Sequence, residues 1–167
     1  MPDKLTLQRA RQDKRQGKAP STQAGEFIRE EMDHIREGKH GARSSKQAIA
    51  IGLSKARRAG VDLPSPKAGA TSEKTRKAAS RDFARGHGSP VRSTATAKRR
   101  RASLQALKRE GTQAASHRAL ARQAHSAANR RTPAERSAAA RKAVRTKGPA
   151  LRSAAARKAV HTREAHD

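Results

Sequence analysis

Arg141, Lys142 and Arg145 stand among alanines near the end of the chain and return sixteen residues later as Arg157, Lys158 and His161. The segments 133–146 and 149–162 agree at twelve of fourteen positions. At about 100° per residue on a helix, Arg141, Lys142 and Arg145 gather on one side, and Ala139, Ala140, Ala143 and Val144 take the other. Arg136 and Arg152 belong to the same two copies. Cations arrayed in this way neutralise phosphate chains: binding releases condensed counterions and needs no reading of bases. A guanidinium adds bidentate bonds to phosphate oxygens. The same chemistry is open to the run Arg99, Arg100 and Arg101 and, nearer the start, to Arg43, Lys46, Lys55, Arg57 and Arg58. These fifteen residues are the candidate nucleic-acid contacts.

Other chemistries find less support. His34 and His40 flank a predicted helix end and His161 and His166 sit five apart, but neither pair has the i, i+4 spacing that puts two ligands on one helical face. No cysteine completes a site. The sequence therefore predicts no metal and no cofactor. Gly86-His87-Gly88 lacks the remaining residues of a phosphate-binding loop, and the many serines and histidines lack a rigid scaffold to hold them as a triad. The chain reads as a non-enzyme.

The whole composition agrees with a polyanion partner. Forty Lys and Arg against fourteen Asp and Glu leave a formal charge of +26 on 167 residues, with no Cys, Trp or Tyr and only two Phe. Repulsion of that size opposes compaction until an anion relieves it. Unpaired strands are usually held by stacking on aromatic platforms, so the shortage of aromatics favours duplex DNA, with RNA or a ribosomal particle as the alternative. Only 33% of residues are apolar, and low hydrophobicity with high charge predicts substantial disorder in the free chain. No apolar run is long enough for a membrane span, and no apolar stretch follows the basic start as a signal peptide requires. The expected setting is intracellular, in the cytoplasm on the nucleoid.

The elements that carry these residues fall into unequal parts. Residues 1–61 hold 14 basic and 7 acidic groups, net +7, and 62–167 hold 26 and 7, net +19. The sequence predicts a mainly α protein: a basic arm (1–20), a helical hairpin (21–61), a Pro/Lys linker (62–70), and a largely disordered, helix-prone basic tail (71–167). The first hairpin helix is expected from a Ser21 or Thr22 cap to about Glu37, with Gly38 leaving it. Its apolar arc is Ala24, Phe27, Ile28, Met32 and Ile35, interrupted only by Glu31. A separate stripe of Glu26, Glu30, Asp33 and Glu37 forms a candidate protein-interaction surface. The second helix is expected from Ser44 or Ser45 to Gly60. Gly52 in its middle costs roughly 1 kcal/mol relative to Ala, a cost offset if the first helix approaches closely there. So small a core suggests homodimerisation through the hairpin. In the tail, Gly and Pro divide helix-length pieces at 71–85, 94–110 and 112–131. Thr132, Pro133 and Glu135 form a capping box with proline at the first helical position, and Gly148-Pro149 hinges the two repeat copies.

The run Arg43-Ser-Ser-Lys46-Gln47-Ala-Ile49-Ala-Ile51-Gly52-Leu53-Ser-Lys-Ala56-Arg57-Arg-Ala-Gly60, preceded by Glu37-Gly38-Lys39, resembles the signature of a bacterial family of small basic proteins sharing a domain of unknown function. The resemblance spans Ala24 to Val61, about a quarter of the chain. It implies a short helical module and a bacterial origin, and no activity or catalytic residues. In composition alone, the Ala/Arg-rich end resembles the tails of linker histones and of histone-like bacterial proteins.

Overall fold

A computed structural model describes residues 2–88 and 97–164. The protein is mainly α. The helices are α1 (Lys4–Arg15), α2 (Pro20–Arg36), α3 (Ser45–Arg58), α4 (Glu73–Gly86), α5 (Ala97–Lys108), α6 (His117–Asn129) and α7 (Pro133–Glu164), with a 3-10 turn at Gln113–Ala115. The chain divides into two compact units, 1–123 and 124–167.

The α2–α3 hairpin is the centre of the first unit, as the sequence predicts. Its first helix begins earlier than the expected Ser21 or Thr22 cap. Pro20 takes the first turn and Ala19 stands at the cap position, because proline has no N–H to leave unsatisfied and its fixed φ suits the helix start. Glu37 closes the helix and Gly38 turns out of it at φ +72°, a conformation that costs glycine little. Ser44 caps α3, its side chain accepting from the Gln47 N–H at 3.3 Å. Gly60, at φ +85°, leaves α3.

Gly52 is buried against α2. A Cβ there would lie 2.8 Å from the Ile28 Cα and 3.0 Å from its Cγ1, so the glycine sets how closely the two helices approach. Two small cores flank this crossing. One gathers Met32, Ile35, Ala42, Ala48, Ala114 and Ala115; the other gathers Ala10, Ala24, Phe27, Ala56 and Val61. Phe27 and Ile35 are fully buried, each contributing about 1.5–3 kcal/mol of apolar transfer.

The first unit extends well beyond the expected hairpin. Within the predicted basic arm, Lys4–Arg15 forms α1, which inserts Ala10 beside Phe27 and starts where the Asp3 N–H donates to Glu30 Oε2 at 3.0 Å. The 3-10 turn brings Ala114 and Ala115 into the other core and is tied down by polar groups. The Ser45 hydroxyl donates to the Ala114 carbonyl at 2.6 Å, and Arg36 Nε donates to the Ala115 carbonyl at 3.1 Å. Glycines allow backbone to meet backbone: the Gly41 N–H donates to the Leu107 carbonyl at 2.9 Å, and a Cβ at Gly41 or at Gly86 would overlap the Glu110 or the Arg57 carbonyl oxygen. Ser72 caps α4 through the Thr75 N–H.

In the second unit α7 carries the tandem repeat. Thr132 Oγ1 accepts from the Glu135 N–H at 3.2 Å while Glu135 Oε2 accepts from the Thr132 N–H at 2.8 Å, the reciprocal pair the sequence predicts. Gly148 breaks the helix at φ 65°, ψ 170°, and Pro149 restarts it. The helix-length pieces expected in a largely disordered tail are thus helices, α4, α5 and α6, beside the repeat helix α7.

Candidate nucleic-acid interface

The repeat puts its cations on the surface. Arg136, Arg141, Lys142 and Arg145 in the first copy, and Arg152, Arg157 and Lys158 in the second, are all exposed. Between Pro133 and Glu164 the sequence holds nine Lys and Arg against two Glu, net +7. The aliphatic residues behind them are uncovered too: Val144 is 44% exposed and Leu151 63%. In α5, Arg99 and Arg101 are exposed; the Arg100 side chain lies outside the described residues.

The hairpin candidates divide. Arg43 is exposed, with its Nε 3.5 Å from Glu110 Oε1, and Lys46 is exposed on α3. Arg58 is exposed, donates to the Ser54 carbonyl and lies 3.7 Å from Asp82, whose other oxygen accepts from the Ser54 hydroxyl. Arg57 and Lys55 are not surface contacts. Arg57 is only 7% exposed and its guanidinium donates to the Leu63 and Pro64 carbonyls at 3.0 and 3.2 Å, which folds the predicted linker back onto α3. Burial pushes its pKa down. Lys55 Nζ lies 2.7 Å from Glu31 Oε2 and 3.1 Å from Glu30 Oε1. Both cations are committed to groups of their own chain, which spacing along α3 does not reveal.

The acidic stripe is committed in a similar way. Glu26 meets Arg29 at 2.8 Å, Asp33 meets Arg36 at 3.3 Å and Glu37 meets Lys39 at 2.9 Å. Glu30 is buried, so it is not part of an exposed docking stripe. Burial pushes the Glu30 carboxyl up, but hydrogen bonds from Thr6 and the Asp3 backbone, with Lys55, outweigh it and hold the group below its ordinary value. Lys55 shows the converse: burial works against its charge, and Glu31 and Glu30 outweigh it to raise its pKa.

Glu31 is the residue the sequence reading passed over. It is fully buried, and neither of its oxygens receives a donor in hydrogen-bond geometry, although Lys55 stands close to Oε2. Its other oxygen, Oε1, lies 3.4 Å from His40 Nε2. The visible signal was its place as the one polar residue inside the apolar arc of α2. Two groups of side chains have the reach to hold a cation, Glu31 with His34 and His40, and Asp3 with Glu30 and His34; in each, the ligand atoms lie within 4.8 Å of one another. A second unforeseen contact is His87, whose Nε2 lies 2.7 Å from Asp62 Oδ1 and whose Nδ1 lies 2.9 Å from the Phe83 carbonyl oxygen.

Family comparison bears on the hairpin. Residues 14–67 match the model of a family of unknown function, DUF6496. The matched segment starts before the resemblance seen at Ala24–Val61 and runs through Leu63 and Pro64, the two carbonyls that hold Arg57. The matched segment thus includes the start of the linker, which packs onto α3 through Arg57. No curated protein and no solved structure matches the chain. Among the described residues no helix is long and apolar enough to cross a membrane.

Proposed function

We propose that this chain binds nucleic acid without sequence specificity, duplex DNA in preference to RNA, and acts as a nucleoid-associated, DNA-compacting protein. The observation that carries the reading is the division of charge. Eleven of the fourteen acids, from Asp3 to Glu110, have a Lys, Arg or His partner within ion-pair distance in the first unit. The repeat cations are exposed and have few acids near them in sequence. Among the described residues, no carboxylate lies within ion-pair distance of Arg101, Arg141, Arg145, Arg152, Arg157 or Lys158. On this reading the first unit is an anchor and α7 carries the phosphate-neutralising face, with Arg43, Lys46, Arg58, Arg99 and Arg101 as further contacts. The exposed Val144 and Leu151 do not weaken it, because counterion release requires only cations.

A protein-docking role for the acidic stripe has less support, since Glu26, Asp33 and Glu37 each have a cation beside them and Glu30 is buried. Homodimerisation was motivated by a two-helix core, and α1 and the 3-10 turn enlarge that core within one chain.

Mobility shifts on unrelated DNA duplexes and on an RNA duplex test the proposal. Equal retardation of the DNAs at low salt, tighter than that of the RNA and abolished by about 0.5 M salt, is expected. Tighter binding to RNA would move the assignment to RNA, and no shift of either at low salt would refute it.

A further inference from the structure

We infer that Glu31, His34 and His40 form a binding site for a divalent first-row transition metal of the zinc type. Three observations on the α2–α3 turn converge. The first is the state of Glu31: it has no exposure, and its Oε1 has no hydrogen-bond donor. A carboxylate so buried and so incompletely partnered is costly unless a cation completes it. Lys55 meets Oε2 alone and thereby fixes the carboxylate with Oε1 turned toward the histidines.

The second is the state of His40. Its Nδ1 lies 3.2 Å from the Gly41 carbonyl oxygen, which only accepts, so the hydrogen of a neutral ring belongs on Nδ1. Nε2, then without a hydrogen, stands 3.4 Å from Glu31 Oε1 and makes no hydrogen bond to it. Two acceptor atoms lie close together, and a cation bound by both removes the conflict. A histidine that gives one ring N–H to a backbone carbonyl and offers the other nitrogen is the usual arrangement of a metal ligand.

The third is spacing. Metal–ligand bonds of about 2.0–2.1 Å at tetrahedral angles put two ligand atoms about 3.4 Å apart, which is the separation of His40 Nε2 and Glu31 Oε1. His34 lies one turn along α2 from Glu31, on the same face, and its ring meets that of His40 edge to face at 6.2 Å. All three ligand atoms are within 4.8 Å of one another, so side-chain rotation of about an ångström closes the set. Spacing along a straight helix and the lack of cysteine spoke against metal, but the turn at Gly38 brings His40 back over the end of α2. Two imidazoles and one carboxylate suit zinc and its neighbours and leave a fourth position for water.

The surrounding charge favours a dication. Asp3, Glu30 and Glu31 place three carboxylates beside the histidines; Lys55 meets Glu30 and Glu31, and Lys39 acts on Asp3 and Glu30. The inference involves no phosphate contact and stands apart from the nucleic-acid reading.

Cobalt(II) added to the metal-free full-length chain tests it, because its ligand-field bands fall in the visible, where the polypeptide does not absorb. The expected result is a one-to-one complex with the visible ligand-field bands of a low-coordinate site, displaced by zinc. It should weaken by about tenfold or more in His40→Gln and in His34→Gln and survive replacement of His117, His125, His161 and His166 together by Gln. Zinc should raise the melting temperature of the wild type and leave that of His40→Gln unchanged, with the metal-free circular dichroism spectra of the two compared to confirm that the variant folds. Absence of a one-to-one complex, or wild-type cobalt affinity in the folded His40→Gln variant, would overturn the assignment. So would loss of the complex in the four-histidine variant.

Discussion

Replacing Gly52 by alanine isolates the packing on which the hairpin depends. In an open helix the change stabilises by about 1 kcal/mol, because alanine loses less backbone entropy. At Gly52 the new Cβ would stand 2.8 Å from the Ile28 Cα and 3.1 Å from its nitrogen, against about 3.5–4.0 Å for unstrained carbon contacts. These are backbone atoms of a helix and cannot rotate away, so α2 and α3 must separate by most of an ångström, an overpacking cost of about 1–3 kcal/mol. Gly25 supplies the control. It lies inside α2, as Gly52 lies inside α3, and its added Cβ meets nothing within 4 Å, so Gly25→Ala should show the propensity gain alone. The propensity effect is common to both variants, and their difference, about 1–3 kcal/mol in favour of Gly25→Ala, measures the crossing. Denaturant unfolding followed by far-UV circular dichroism provides the assay. Gly52→Ala as stable as Gly25→Ala would refute the close approach.

Two further outcomes follow from charged groups. Lys55→Met leaves Glu30 and Glu31 buried without their cation and should cost about 3–5 kcal/mol, seen as a large fall in the denaturant midpoint; a loss under about 1 kcal/mol, the value of a surface pair, would contradict the burial. His87 has acceptors at both ring nitrogens, and the Phe83 carbonyl and then Asp62 raise its pKa above the ordinary 6.5, with Lys14 opposing. Because the folded value is the higher, the contribution of His87 to stability is whole below about pH 6.5 and is lost as pH rises through the folded value. Proton NMR titration of the His87 ring should give a midpoint above that of a short peptide, and a midpoint at or below the peptide's would contradict the two contacts.

The hairpin was legible because large apolar residues and punctuation marked it. Phe27, Met32 and Ile35 lie on one arc, Ser44 caps, Gly38 and Gly60 turn, and Gly52 inside a helix signalled a close neighbour. The rest of the first unit packs through residues that leave no such trace. Ala10, Ala79, Ala114 and Ala115 are buried alanines in alanine-rich sequence, and Gly41 and Gly86 let backbones touch, so no apolar stripe foretold α1, the docking of α4 or the 3-10 turn. Among site residues, the cations of the repeat were readable from type and period, since exposure is their default. Lys55, Arg57 and Glu30 were misplaced on the surface because their partners come from other segments: Glu31 for Lys55, the carbonyls of Leu63 and Pro64 for Arg57, and the Asp3 N–H with Lys55 for Glu30. Glu31 itself was visible as a charge inside a core face, and what it meets there depends on the turn that returns His40.

The salt dependence of DNA affinity tests the central claim most directly. Fluorescence anisotropy of a labelled duplex, followed across a series of salt concentrations, should give log K falling linearly with log salt. If the repeat and the other exposed cations contact about 8–10 phosphates, the slope is near −7 to −9, and replacing Arg141, Lys142, Arg145, Arg157 and Lys158 by Gln should make it shallower by about 4–5. A slope near zero, or one unchanged by those five substitutions, would contradict phosphate neutralisation by the repeat.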